Sequence, residues 1–152
     1  MEQNIIMLDE RTDQATRQML QKVVERKRKY EHLKLRHLIV MWATVFAAFL
    51  YLYYLYQTVL DPYSYSFAAM FSAYVDNSAN LYYLVFTVGL YGFMNLLQKK
   101  RDKAENEYNA LRCEIIDKSK DLWKQEDQWK NRHLVFEMMK SNYDINLYHE
   151  NK

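Results

Sequence analysis

Two long apolar stretches decide the fold of this chain. They read LIVMWATVFAAFLYLYYLYQTVL at residues 38–60 and NSANLYYLVFTVGLYGFMNLLQ at residues 77–98. A helix needs about 20 mostly apolar residues to cross the hydrocarbon core of a bilayer. The two stretches contain 23 and 22 residues and no charged side chain. The sequence therefore predicts two membrane-spanning helices.

The charged residues are concentrated on both sides of these stretches. Residues 1–37 contain nine Lys or Arg, residues 99–152 contain 12, and residues 38–98 contain none. The mean hydropathy of −0.47 averages the charge-free centre with the two charged ends. Because loops rich in Lys and Arg stay in the cytoplasm, we expect a multi-pass cell membrane protein with two spans and both termini cytoplasmic.

Few residues in the chain interrupt helices, since it has one proline and two glycines. We expect a first helix that starts near Asp9 or Thr12 as N-cap and stops at Asp61-Pro62. A second helix is predicted from residues 77–80 to about residue 141. The predicted fold is an all-α membrane protein, a two-span transmembrane helical hairpin whose helices extend into a cytoplasmic, antiparallel, coiled-coil-like arm pair.

The predicted segments follow from these boundaries. They are a basic amphipathic cytoplasmic helix at 1–37, spans at 38–60 and 80–98, an extracytoplasmic aromatic loop at 61–79, a heptad-containing cytoplasmic helix at 99–141 and a flexible tail at 142–152. In the loop, residues 66–75 are predicted to form a short helix in the headgroup layer, where aromatic side chains are favoured. A re-entrant loop is the alternative interpretation of the same residues.

Small residues predict how the two spans pack. Ala43 and Ala47 in the first span lie at the same depth as Gly92 and Gly89 in the second. Small side chains allow close approach of helices in lipid, where packing replaces the hydrophobic effect. We therefore expect Ala43 and Ala47 to face Gly89 and Gly92, although small residues are also common in spans without such a contact.

A seven-residue repeat runs through the predicted cytoplasmic helix. Its imperfections are the polar residues Lys118, Gln125 and Arg132 at companion positions. The repeat predicts an interaction face that contacts the first helix and a second copy of the chain or another membrane or cytoplasmic protein. The predicted face consists of Tyr108, Leu111, Ile115, Leu122, Trp129 and Phe136.

Basic residues flank both spans and are predicted to contact anionic lipid. An alternative for the first cluster is binding to nucleic-acid phosphates, which we regard as the weaker interpretation so close to a span. The predicted lipid contacts are Arg26, Lys27, Arg28, Lys29, Lys99, Lys100 and Arg101.

No motif for catalysis or for metal binding is recognisable. The four histidines form no i,i+4 pair, HExxH and CxxC are absent, and Cys113 is the single cysteine. The spans contain no ionisable residue that could relay a proton or couple to an ion. We therefore expect no enzyme activity, no cofactor, no metal and no small-molecule substrate. The predicted function is that of a membrane-anchored helical interaction or scaffold protein, and a small oligomeric channel or transporter subunit is the alternative.

One segment carries a resemblance to a known family. The sequence LDERTDQATRQMLQKVVERKRKYEHLKLRH at residues 8–37, followed by two spans and a charged helix, resembles the YpbF-like family of small bacillus-type membrane proteins. The resemblance covers most of the chain and implies a bacterial cell membrane protein with two spans. It implies no functional residues.

Overall fold

The computed structural model describes residues 2–8 and 12–148, and these residues form helices and no strand. In chain order the elements are α1 (Gln3–Ile6), α2 (Gln14–Leu55), a π-helical turn (Tyr56–Leu60), α3 (Phe67–Asp76), α4 (Ser78–Asp117), α5 (Ser119–Leu122) and α6 (Glu126–Tyr143). The prediction of an all-α protein with two long apolar helices is confirmed.

The chain divides into two compact units. The terminal unit comprises residues 1–32 and 102–152, and the central unit comprises residues 33–101. The central unit contains both apolar stretches, whereas the terminal unit contains most of the charged residues.

The first long helix begins at Gln14, directly after Asp13. The Asp13 carboxylate accepts a hydrogen bond from the Gln14 N–H at 2.7 Å, which satisfies one of the donors that a helix N-terminus leaves unpaired. Thr12, one of the two predicted caps, instead donates its hydroxyl to the carbonyl of Leu8. The other predicted cap, Asp9, lies outside the described residues.

The connection between the apolar helices is short and partly helical. The first apolar helix ends in a π-helical turn, in which the Asp61 N–H bonds the Tyr56 carbonyl at 2.9 Å, directly before Pro62. The short helix predicted at 66–75 is confirmed as α3, shifted by one residue. The next helix starts as predicted, and the side-chain oxygen of Asn77 accepts the Ala79 N–H at 3.1 Å.

The second long helix ends earlier than the sequence suggests. The structure differs from the single helix predicted to reach residue 141, because α4 ends at Asp117 and is followed by the short α5 and then by α6, which starts at Glu126. The physical reason is burial of Trp123, which is only 1% exposed and packs edge-on against Phe136 with ring centroids 5.5 Å apart. A straight helix would separate positions 123 and 136 by about 20 Å along its axis.

The core of the terminal unit brings together segments from both ends of the chain. Ile5, Leu20, Ile115, Val135 and Met139 each have no exposed surface and belong to one cluster. They come from four different helices, α1, α2, α4 and α6, so the unit is a small helical domain instead of a pair of extended arms.

The chain continues to pack after α6. Ile145 and Leu147 are 0% and 1% exposed, although both lie in the predicted flexible tail at 142–152. Both side chains therefore enter the core from a non-helical stretch. Residues 149–152 lie outside the described part of the chain.

The buried position of Met139 gives a test of this core. Replacement of Met139 by Ala should lower the free energy of unfolding by about 2–5 kcal/mol, because it removes buried atoms and leaves a cavity. Urea unfolding of the full chain in nanodiscs, followed by tryptophan fluorescence, measures the loss. Glu137→Ala on the exposed side of the same helix is the matched control. Equal stability of the two variants would show that α6 does not pack as described.

Candidate functional site

The predicted interaction face lies mostly inside the terminal unit. Ile115 and Phe136 are buried in the core cluster, and the remaining four residues of the face are partly buried against it. The sequence correctly grouped these side chains as one apolar set. Because they lie on three helices that pack together, the set forms an intrachain core and not a continuous free stripe. Burial also raises the pKa of the Tyr108 phenol.

Around Phe136, Trp129 and two further side chains extend from the core to the surface in a row. The Arg132 guanidinium lies 3.5 Å from the centre of the Trp129 ring and 6.0 Å from that of Phe136. Phe136 in turn contacts Tyr148, with centroids 5.4 Å apart and planes at 88°, and the Tyr148 hydroxyl donates to the His133 carbonyl at 3.1 Å. We call Trp129, Arg132, Phe136 and Tyr148 the aromatic row.

Lys27 closes the C-terminal end of α6. Its ammonium donates to the carbonyls of Tyr143 and Asp144 at 2.8 and 2.5 Å and to the Asp144 carboxylate at 2.9 Å. These carbonyls are the negative end of the helix, where a cation is favourable. Asp144 adopts a left-handed conformation with φ 53°, which Asp tolerates better than most residues. The ammonium also holds the pKa of the Asp144 carboxyl below its usual value.

The other cations of the first basic cluster also have acidic partners in the chain. Arg26 pairs with Glu107, and Lys29 lies 3.9 Å from the same carboxylate. Arg28 bonds Glu2 at 2.6 Å, which raises the pKa of its guanidinium. These side chains therefore join segments of the terminal unit, and the prediction that they contact anionic lipid stays untested.

The second basic cluster has a different environment. Lys99 and Lys100 are exposed and make no ion pair within the described residues. Arg101 is partly buried, with one guanidinium nitrogen 3.4 Å from His37 Nδ1. Of the residues predicted to contact lipid, Lys99 and Lys100 are thus the ones whose charges the chain leaves available.

In the central unit, tyrosines form the contact between the two apolar helices. The Tyr83 ring lies 5.2 Å from that of Tyr54 and 6.2 Å from that of Tyr51. The Tyr51 hydroxyl donates to the Asn80 carbonyl at 3.3 Å, and both Tyr51 and Asn80 are buried. Closer to the other end of these apolar helices, Thr44 and Leu97 are the buried residues.

The small residues do not form the contact that the sequence predicted. A Cβ atom added at Gly89 or Gly92 would meet no atom within 4 Å, and Ala43 is exposed. Only Ala47 lies towards the other helix, where it lines a cavity of about 220 Å³ with Tyr83 and other residues. The tyrosine contacts accompany a helix rotation that turns the glycines outwards.

A polar cavity in the terminal unit is lined by two cations, Lys27 and Arg28, and both already have partners within the chain. The cavity measures about 340 Å³ and is lined by Lys27, Arg28, Glu31, Ser141 and other residues. All three ammonium hydrogens of Lys27 are accounted for by its three acceptors, and Arg28 is paired with Glu2. No group of three His, Cys, Asp or Glu side chains within the described residues is arranged to hold a metal ion.

Comparison with known proteins places the chain in a family. A family model described as protein of unknown function (DUF2663) matches residues 19–150. The chain belongs to the DUF2663 family. The match includes parts of both units, and the family relationship suggested by residues 8–37 is confirmed.

A relative of the DUF2663 chain is found in Bacillus subtilis (strain 168). This protein, uncharacterized protein YpbF, is 37% identical over 145 residues, which cover 95% of each chain. No solved structure matches the chain.

Sequence reasoning missed two residues that organise the terminal unit. Trp123 falls between the repeat positions and was not singled out, although the polar companions Lys118, Gln125 and Arg132 indicated that the repeat does not continue along one helix. Lys27 was recognised only as part of a basic cluster, because no local pattern connects it with Asp144, 117 residues later.

The cap formed by Lys27 gives a second prediction. Lys27→Met should destabilise the terminal unit by about 1–3 kcal/mol, because it leaves acceptors without a donor. Asp144→Asn, which removes the charge and still tolerates the left-handed conformation, should cost less. Urea unfolding in nanodiscs over a range of pH measures both effects.

The stability advantage of the wild type over Asp144→Asn should decrease at low pH. The folded-state pKa of Asp144 lies below the ordinary 3.8, so its charge contributes stability above pH 3.8 that is lost as the pH falls through the folded pKa. The wild type should lose its advantage over Asp144→Asn below pH 3.8. An advantage that persists unchanged there would contradict the pairing with Lys27.

Proposed function

We propose that this protein is an integral membrane protein that spans the bilayer twice, at 38–60 and 80–98. The observation that carries the proposal is the exposure of its most apolar helices. The most apolar windows of these helices have mean hydropathies of 2.0 and 1.2, and only 11% of each window is buried. A core helix of a soluble protein would be mostly buried, and soluble monomers rarely expose apolar patches of this extent.

The threonine hydroxyls in the spans are compatible with a lipid environment. The hydroxyls of Thr44, Thr58 and Thr87 donate to the carbonyls four residues earlier in their own helices, at 2.7–2.8 Å. Such internal bonds matter because lipid offers no partner for an unpaired polar group. The asymmetry of Lys and Arg favours a cytoplasmic location for both chain ends.

Within that arrangement, we assign the functional role to the terminal unit. Our proposal is a non-enzymatic, membrane-anchored interaction or scaffold protein, in which the two spans hold a folded helical unit at the cytoplasmic face. Intrachain pairs such as Arg28 with Glu2 and Lys27 with Asp144 support a folded body over two separate arms. The predicted face is largely buried, so the contact surface in this proposal is the accessible part of the aromatic row, Trp129, Arg132 and Tyr148, since Trp, Tyr and Arg dominate binding hot spots.

The orientation can be tested with single cysteines in intact cells. In a Cys113→Ser background, Tyr65→Cys, at a side chain that is 78% exposed, should react with a membrane-impermeant maleimide. Wild-type Cys113 should react only after the membrane is permeabilised. The reverse pattern would overturn the orientation, and labelling of both without permeabilisation would overturn the two-span topology.

The interaction role can be tested from the position next to the aromatic row. A photoreactive amino acid in place of His133 should give a discrete cross-link in the membrane that is lost with Arg132→Glu. The same amino acid at the exposed Lys120 should give none and is the matched control. Ion flux through liposomes that contain the purified protein, together with no cross-link at His133, would instead favour a channel or transporter subunit.

A further inference from the structure

The short helix α3 has two different faces. Phe67, Phe71 and Val75 recur every four residues, so they lie on the same side of the helix. Their side chains are 79%, 62% and 60% exposed. On the adjacent, inner side, about 80° away around the helix, Met70 and Tyr74 are partly buried. The helix therefore presents a row of bulky apolar side chains that nothing in the described residues covers.

Contacts on the inner side fix the direction of this apolar row. Met70 lines a cavity with Tyr56 and Leu60 of the π-helical turn. The Tyr74 hydroxyl lies 3.1 Å from that of Tyr51, and the Tyr74 carbonyl accepts a hydrogen bond from Asn80 at 2.9 Å. Rotation of α3 to hide its apolar row would break these contacts.

The connections of α3 keep it next to the spans. Six residues, 61–66, separate it from the π-helical turn, and only Asn77 separates it from α4. A helix on such short connections cannot leave the membrane surface if the flanking helices cross the bilayer. Its apolar row thus stays within reach of that surface.

The charges around α3 indicate which kind of lipid surface it fits. No Lys or Arg occurs between residues 38 and 98, and the only charged residues there are Asp61 and Asp76. Interfacial helices that depend on anionic lipid carry cations on their polar side. Insertion of α3 would therefore be driven by apolar area alone and would suit neutral or zwitterionic lipid.

We propose that α3 lies in the lipid interface of the leaflet opposite the charged chain ends, with Phe67, Phe71 and Val75 inserted below the headgroups. Ser72 and Asp76, which hydrogen-bond each other at 3.1 Å, remain in water. This inference rests on the proposed two-span arrangement. It holds for either orientation of the chain.

Nitroxide labels on single cysteines test the insertion directly. In the Cys113→Ser background, labels at Phe67, Phe71 and Val75 are compared with labels at Ser72 and Asp76 on the same helix. The full chain is studied in phosphatidylcholine nanodiscs by collision with oxygen and with a water-soluble nickel chelate. We expect the oxygen-to-nickel collision ratio to be several-fold higher for the three apolar positions.

Other outcomes of this experiment overturn the inference in distinguishable ways. Equal nickel access at all five positions places α3 in water, and low access to both reagents at the apolar row indicates a protein contact, such as a second copy. A deep position seen only after phosphatidylglycerol is added would contradict insertion by apolar area. A label at Phe46, 64% exposed in the first span, is the reference: if it also collides with nickel, the two-span proposal fails as well.

Discussion

The fold of the terminal unit depends on the burial of the Trp123 indole. The ring is almost completely removed from solvent and contacts Phe136 edge-on, in the geometry that aromatic pairs prefer. The neighbouring Leu122 carbonyl receives a hydrogen bond from the Thr16 hydroxyl, 106 residues away in sequence. Together these contacts turn the chain back after α4, and this reversal allows α6 and the segment after it to pack against the beginning of the chain.

The elements that were predictable from sequence are those fixed by local rules. The scarcity of Gly and Pro, the length of the apolar stretches and the Asp61-Pro62 stop are sufficient for the long helices and for α3. The reversal after Asp117 was not predictable in this way, because residues 118–125 contain neither Gly nor Pro. Tertiary burial overrides helix propensity there. A seven-residue repeat likewise reports which residues are apolar, but not whether they share one helix or several.

For the candidate sites too, the sequence predicts which residue types are present but not which of them come into contact. The distribution of Lys and Arg predicts an orientation, yet Arg26, Lys27 and Arg28 are paired with carboxylates or carbonyls that no local pattern reveals. The rise per residue likewise predicts which positions of the two apolar helices match in depth. Helix rotation was not predictable from sequence, since it follows from contacts of Tyr51, Tyr54 and Tyr83 that only the structure shows.

The outward-facing glycines have a consequence for genetics. Because an added Cβ at Gly89 or Gly92 meets nothing in the chain, alanine at either position would improve helix propensity by about 1 kcal/mol without a steric cost. Intrachain packing therefore gives no reason for glycine there. A growth defect from Gly89→Ala or Gly92→Ala would consequently report on a neighbouring molecule that approaches this surface, independently of how well the protein itself folds.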